Sequence, residues 1–342
     1  VESNDPLCAE KADALLEKMV TLYEMTNDAE YAPSIITFNV VLKAWSSKSS
    51  KCQSSINRIF DILRQMKELS RQKVNSNSIM PDIISYNTVL SALARRGGQE
   101  AALRSLEIFA EVENSSQLEP DINTFNSVLN CLAKSGETSA HLEVSSFLNS
   151  MEKRALRDET AILPDRISYT TLIDALSRSK LPNQGQRARD VLNQMFDLHR
   201  RGRSNVHPDV YTFTSVLQVF AKTKGRRNIR RDALRQAIQT FEELQRQPHV
   251  QPNSLTYETM LNAISALSSE SDERDRFFEH IFNQCSERGL LNQQLLDIFQ
   301  NVAGKDLCNK LFGNLSANGN VQSTYAESSW SLNVQKEHFR KY

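Results

Sequence analysis

One phrase occurs six times along this chain, and that recurrence limits the fold more than any other property. Residues 81–95 read PDIISYNTVLSALAR, and close relatives of that stretch open at Pro33, Pro120, Pro164, Pro208 and Pro252. The shared form is P-D-x-x-[ST]-[FY]-[NT]-x-[VL]-[LI]. Its apolar positions fall at helical spacing: Tyr86, Val89, Leu90, Leu93 and Ala94 lie on one stripe in the second copy. The prolines are 48, 39, 44, 44 and 44 residues apart. Each interval holds this helix and a second one, so the unit is an antiparallel helix pair. Such a pair cannot bury its apolar face alone, and stacking on its neighbours supplies the core. The expected fold is therefore all-α, an α-solenoid of stacked antiparallel helix pairs.

Taken in order, residues 9–25 carry helical spacing and read as the second helix of a unit that lacks its first. Second helices are expected near 54–69 and 100–112, with loops near 46–51 and 70–80. Turns are expected at Gly97-Gly98, at Gly136, near Pro182 to Gly185, and at Gly225. The organisation is thus a truncated repeat over 1–33 and six units over 34–285, starting near 35, 83, 122, 166, 210 and 254. A helical cap and polar tail follow over 286–342. The last second helix is expected over 276–285, and in the cap 290–302 reads as a helix and 313–329 as a loop. Trp330 is available to dock on the stack, and the polar end suits a terminal face that meets water.

Composition removes several function classes. Lysine plus arginine and aspartate plus glutamate each number 41, so the net charge is zero and bulk charge gives no argument for a polyanion. The balance is uneven, however. Residues 187–235 hold twelve Lys/Arg against four Asp/Glu, either an anionic footprint or a solvated face. The five cysteines (Cys8, Cys52, Cys131, Cys285, Cys308) are odd in number and never form C-x-x-C. They suggest neither disulfide framework nor zinc site and fit a reducing compartment, with Cys131 a buried thiol. No apolar run is long enough for a membrane span. Val1 is not an initiator, and the acidic Glu2, Asp5 and Glu10 make a poor targeting peptide, so the chain is read as a fragment or mature form. The histidines (141, 199, 207, 249, 280 and 338) are scattered, and no H-E-x-x-H, Walker loop or G-x-S-x-G occurs. No catalysis, metal or cofactor is expected.

The six openings, each followed by a second helix, resemble the pentatricopeptide-repeat family over about residues 9–285. The tetratricopeptide signature W-x-x-L-G-x-x-Y is missing. The long repeat spacing is similar to algal-type members. The resemblance implies a right-handed superhelix whose first helices line a concave groove for single-stranded RNA, one base per repeat. It also implies a role in organelle RNA processing, stability or translation, in mitochondrion or chloroplast, beside other RNA-processing proteins. In the family the fifth residue after the Pro-Asp pair and the capping residue of the next unit choose the base. Carried over, these are Asn39 with Asp82, Asn87 with Asp121, Asn126 with Asp165, Thr170 with Asp209, and Thr214 with Asn253, reading 5′-UUUGA-3′. Ile36, Ile84, Ile167, Tyr211 and Leu255 would wedge between bases; Asn123 departs from that pattern. Glu258, at the fifth position of the last unit, would face a polyanion and reads nothing. Arg95, Lys134, Arg178 and Lys222 fall where the family contacts phosphate, with Ser47 and Ala266 in the outer units.

Plainer readings stand beside these. Asp and Asn before a helix are good N-caps, and a cation near a helix C-terminus suits the macrodipole. Asn and Thr are poor choices for a plain mid-helix surface, which favours a function at the fifth positions. A protein-binding scaffold of tetratricopeptide type, without RNA, is the alternative, since helical solenoids also present concave surfaces to peptides.

Overall fold

In a computed structural model, the chain is described over residues 7–26, 28–49, 53–72, 79–158, 161–268, 271–302 and 307. The expected tail after 310, with Trp330, and most of the loop over 70–80 lie outside these residues. Among the described residues there is no strand, and fourteen α-helices follow one another. They group into two compact units, residues 1–175 and 176–342, divided within helix α8 (Arg166–Arg178).

In the first unit α1 (Cys8–Thr26) packs on α2 (Ile35–Lys48), which pairs with α3 (Gln53–Gln72). Helices α4 (Ile83–Arg96) and α5 (Gln99–Glu113) form the next pair, and α6 (Ile122–Ala133) and α7 (Ala140–Ala155) the third. The first helices touch in series, α2 on α4 and α4 on α6. The second unit repeats the scheme. Helix α9 (Gln184–Arg200) packs on α10 (Val210–Ala221), which pairs with α11 (Arg227–Arg246). Helix α12 (Ser254–Leu267) packs on α10, α13 (Ser271–Glu287) and α14 (Gln293–Val302).

The recurring phrase is a capping box written into sequence. Asp82 is extended (φ −97°, ψ 179°), and its carboxylate accepts the Ser85 backbone N–H at 2.8 Å. Ser85 reaches back to the Asp82 N–H, so two of the orphan donors at the start of α4 are satisfied reciprocally. Ser34, Asp121, Asp209 and Asn253 cap α2, α6, α10 and α12 in the same way. The stripe behind the cap is the core: Tyr86, Val89, Leu90, Leu93 and Ala94 are buried, as are Phe125, Val128 and Leu129 in α6. Each large member contributes about 1.5–3 kcal/mol on burial. Cys131 is fully buried at 0% exposure, and burial pushes its thiol up to about 12. The second helices are tied along the stack by ion pairs, Arg58 to Asp13 and Glu17, Lys67 to Glu111, and Arg154 to Glu113. These half-exposed pairs set register more than stability.

Two local expectations change. Helix α2 runs on through Lys48, where a polar break was expected, because Ser46 is buried and its hydroxyl accepts from Arg95 of the next unit. Gly97 and Gly136 do stand at helix ends with positive φ (65° and 86°). The turn expected near Pro182 to Gly185 falls at Pro182 and Asn183 and does not include Gly185. That glycine lies in the first turn of α9, where a Cβ would sit 2.6 Å from Cδ1 of Phe220. Its absent side chain lets α9 approach α10.

Candidate nucleic-acid interface

In the first unit the residues expected to select bases are hydrogen-bonded to one another. Asn39 sits on α2 and Asp82 at the start of α4, and the Asn39 amide Nδ2 donates to Asp82 Oδ1 at 3.3 Å. Asn87 donates to Asp121 at 3.0 Å, and Asn126 to Asp165 at 3.2 Å. Each rung thus joins one repeat's first helix to the cap of the next. The capping role and the pairing role coexist, because a carboxylate has about four acceptor sites.

A third member of each rung was not singled out from the sequence. The hydroxyl of Ser85, Thr124 or Ser168 donates to the carbonyl Oδ1 of Asn39, Asn87 or Asn126 at 2.6, 2.8 and 2.6 Å. Its signal was the fixed [ST] three residues after the cap, which sequence alone reads as half of a capping box. Asn123, the departure among the wedge positions, donates to Asp121 Oδ2 at 3.4 Å. The Asp121 carboxyl lies below its ordinary range. Burial alone would raise it, but hydrogen bonds from the Thr124 backbone and hydroxyl, Asn87 and Asn123 outweigh that.

The threonine positions are arranged differently. The Thr170 hydroxyl donates to the Arg166 carbonyl at 2.8 Å, within α8. Asp209 caps α10 through the Thr212 N–H at 3.0 Å. Thr214, expected at the groove, is 7% exposed, bonds the Val210 carbonyl at 2.7 Å and lies 2.9 Å from the Thr256 hydroxyl. Thr256 in turn holds Asn253 Oδ1 at 2.8 Å, so Thr214 and Asn253 are linked through it. Burial carries the Glu258 carboxyl upward, and Gln294 of α14 donates to it at 3.2 Å.

The five residues expected to wedge between bases, Ile36, Ile84, Ile167, Tyr211 and Leu255, are between 45% and 71% exposed. Large apolar side chains left in water at one helical offset contrast with the buried stripe behind them. In the first unit a groove of about 860 Å³ is lined by Ile84, Asn87, Asp121, Asn126 and Ile167, with Arg95 at its side.

The cation ladder has structural partners. Arg95 donates to the Ser46 carbonyl at 3.0 Å, Lys134 to the Ala94 carbonyl at 3.2 Å, and Lys222 to the Ser177 hydroxyl at 3.4 Å. Each reaches the last turn of the first helix one repeat earlier, where carbonyls lack intrahelical donors. Arginine carries five donors and lysine three, so one such bond exhausts neither. Arg178 is exposed at the end of α8. The arginine-rich stretch crosses the end of α9 and the start of α11, with Arg200, Arg201, Arg226 and Arg227 exposed. Among the described residues no group of three His, Cys, Asp or Glu could hold a metal ion, and no helix is long and apolar enough to cross a membrane.

The model for the pentatricopeptide repeat domain matches residues 71–145 and 198–266. Comparison with curated proteins gave no match. Two solved structures resemble the chain, the pentatricopeptide repeat protein PPR10 in complex with an 18-nt psaJ RNA element and a cysteine-to-serine variant of that complex. Each is 22% identical with a TM-score of 0.47, over 92% of this chain but 40% of the solved one. The chain therefore spans less than half the length of those structures.

Proposed function

From the premise that this chain is a pentatricopeptide-repeat protein, matched over 71–145 and 198–266, we propose that it binds single-stranded RNA through the groove of its first unit. The observation that carries the reading is the series of three Asn–Asp rungs, each pairing an amide with a carboxylate beside exposed apolar side chains. An amide N–H and a carboxylate oxygen side by side complement the carbonyl and N3–H of uracil. The rungs of Asn39–Asp82, Asn87–Asp121 and Asn126–Asp165 then read U, U, U from 5′ to 3′. Ile36, Ile84 and Ile167 stack against bases, and Arg95 and Lys134 of the same unit meet phosphates. The reading is confined to three bases, since Thr170 gives its hydroxyl proton to the Arg166 carbonyl and Thr214 is turned inward.

Occupying a transcript in this way suits RNA processing, stability or translation in a mitochondrion or chloroplast, with any cleavage left to other proteins. The test is selection of bound sequences from a random single-stranded RNA pool at low salt, followed by a salt titration. A run of uridines should be enriched. If both cations contact phosphates, log affinity should fall against log salt with a slope of about −1.4. No binding at low salt, or binding indifferent to salt, would refute the proposal.

A further inference from the structure

We propose that the hydroxyls of Ser85, Thr124 and Ser168 are specificity-determining positioning groups, which hold each rung's amide so that it offers the base an N–H and not its carbonyl. The inference rests on the RNA reading above and assigns a role to residues outside the base-selecting pair.

Each hydroxyl has one proton and two nearby acceptors. The Asp Oδ1 lies 2.9, 2.8 and 3.0 Å from Ser85, Thr124 and Ser168, and the Asn Oδ1 lies 2.6, 2.8 and 2.6 Å away. The Asp oxygen already accepts a backbone N–H at 2.8, 2.8 and 3.0 Å and the Asn amide as well. The proton is therefore better placed on the asparagine carbonyl. The ionised carboxylate has only lone pairs, so it fixes the NH₂ end of the amide toward itself. With both ends tethered, the amide cannot turn its carbonyl to the groove without losing two hydrogen bonds.

The three rungs use Ser, Thr and Ser with the same two contacts, so the hydroxyl and not the methyl is the common element. Ser85, Thr124 and Ser168 are all fully buried at 0% exposure, out of reach of a base themselves. They act through the asparagine. Thr256 supplies an internal contrast. It closes the same capping box on Asn253, but at the fifth position of the preceding repeat it meets the hydroxyl of Thr214 and not an asparagine amide.

The experiment measures affinity of the full chain for single-stranded RNA oligonucleotides containing UUU, with each uridine replaced in turn by the other bases. Ser85→Ala, Thr124→Val and Ser168→Ala are made singly. Each should narrow the preference for uridine about fivefold at its own position, the worth of one ordinary hydrogen bond, and leave the other two positions unchanged. Ser85→Thr and Thr124→Ser should keep the preference. Thr256→Val, which loses the same half of a capping box, should leave all three preferences intact. Near-isosteric Ser85→Cys, with a weak donor, serves if the alanine variant does not fold. Unchanged preference at the altered rung, or equal loss at all three, overturns the inference while RNA binding stands. Absence of RNA binding by the unaltered protein overturns both readings.

Discussion

Asp121 is where capping, pairing and charge meet, and its replacement separates them. The carboxylate accepts the Thr124 N–H at 2.8 Å and the Asn87 amide at 3.0 Å, and the Thr124 hydroxyl lies 2.8 Å from it. Asp121→Ala removes an N-cap, which costs about 1 kcal/mol. It also strips the Asn87 amide and one contact of the buried Thr124 hydroxyl, adding about 1 kcal/mol more. A loss of about 2 kcal/mol should follow. Asp121→Asn should cost about 0.5 kcal/mol or less, since Asn caps as well as Asp. Asn253 already does this on α12, accepting the Thr256 N–H at 2.9 Å and hydroxyl at 2.8 Å.

The charge appears in the pH dependence. Because the folded carboxyl lies below its unfolded value of about 3.9, the ionised form adds stability that is present above that value. It is lost as pH falls through the folded value. The stability difference between wild type and Asp121→Asn should therefore shrink on acidification. Urea unfolding followed by circular dichroism gives the magnitudes, and amide exchange in the first turn of α6 localises them. The reasoning fails if Asp121→Asn is as damaging as Asp121→Ala, or if the difference is independent of pH.

Two further substitutions probe other features. Gly185→Ala gains at most about 1 kcal/mol of helix propensity, but its Cβ would meet the ring of Phe220, itself 1% exposed, at 2.6 Å. Overpacking of about 1–3 kcal/mol should dominate, and an unchanged or higher unfolding midpoint would contradict this. Arg95→Met removes the bonds to the Ser46 carbonyl and hydroxyl and should lower stability by about 0.5–1 kcal/mol. If Arg95 also meets a phosphate, the salt slope of RNA binding becomes shallower by about 0.7; an unaltered slope confines Arg95 to the stack.

The stack was legible because its signal repeats: aromatic and aliphatic positions recur at the same offsets, and Pro with Asp or Asn marks nearly every start. Gly185 was misread because glycine signals a turn by its own backbone, while here it answers to Phe220, 35 residues on. The rungs were half legible. Asp before a helix announces a cap, but only the structure puts Asn39 against Asp82, 43 residues away. The hydroxyls stayed hidden because one Ser85 hydroxyl serves both, accepting the cap's N–H and donating to the asparagine. Thr214 misled for a similar reason. A threonine can satisfy its hydroxyl within its own helix, and the Val210 carbonyl takes it inward.

The rungs also decide where this protein can be divided. The prolines look like natural seams, yet a cut before Pro81 sends Asp82 and Ser85 away with the following repeat and leaves Asn39 without either contact. Repeats exchanged at the prolines would carry their asparagine in one cassette and its partners in the next. A transferable module for one position therefore begins beyond Ser85 and ends beyond Thr124, so that Asn87 travels with Asp121 and Thr124.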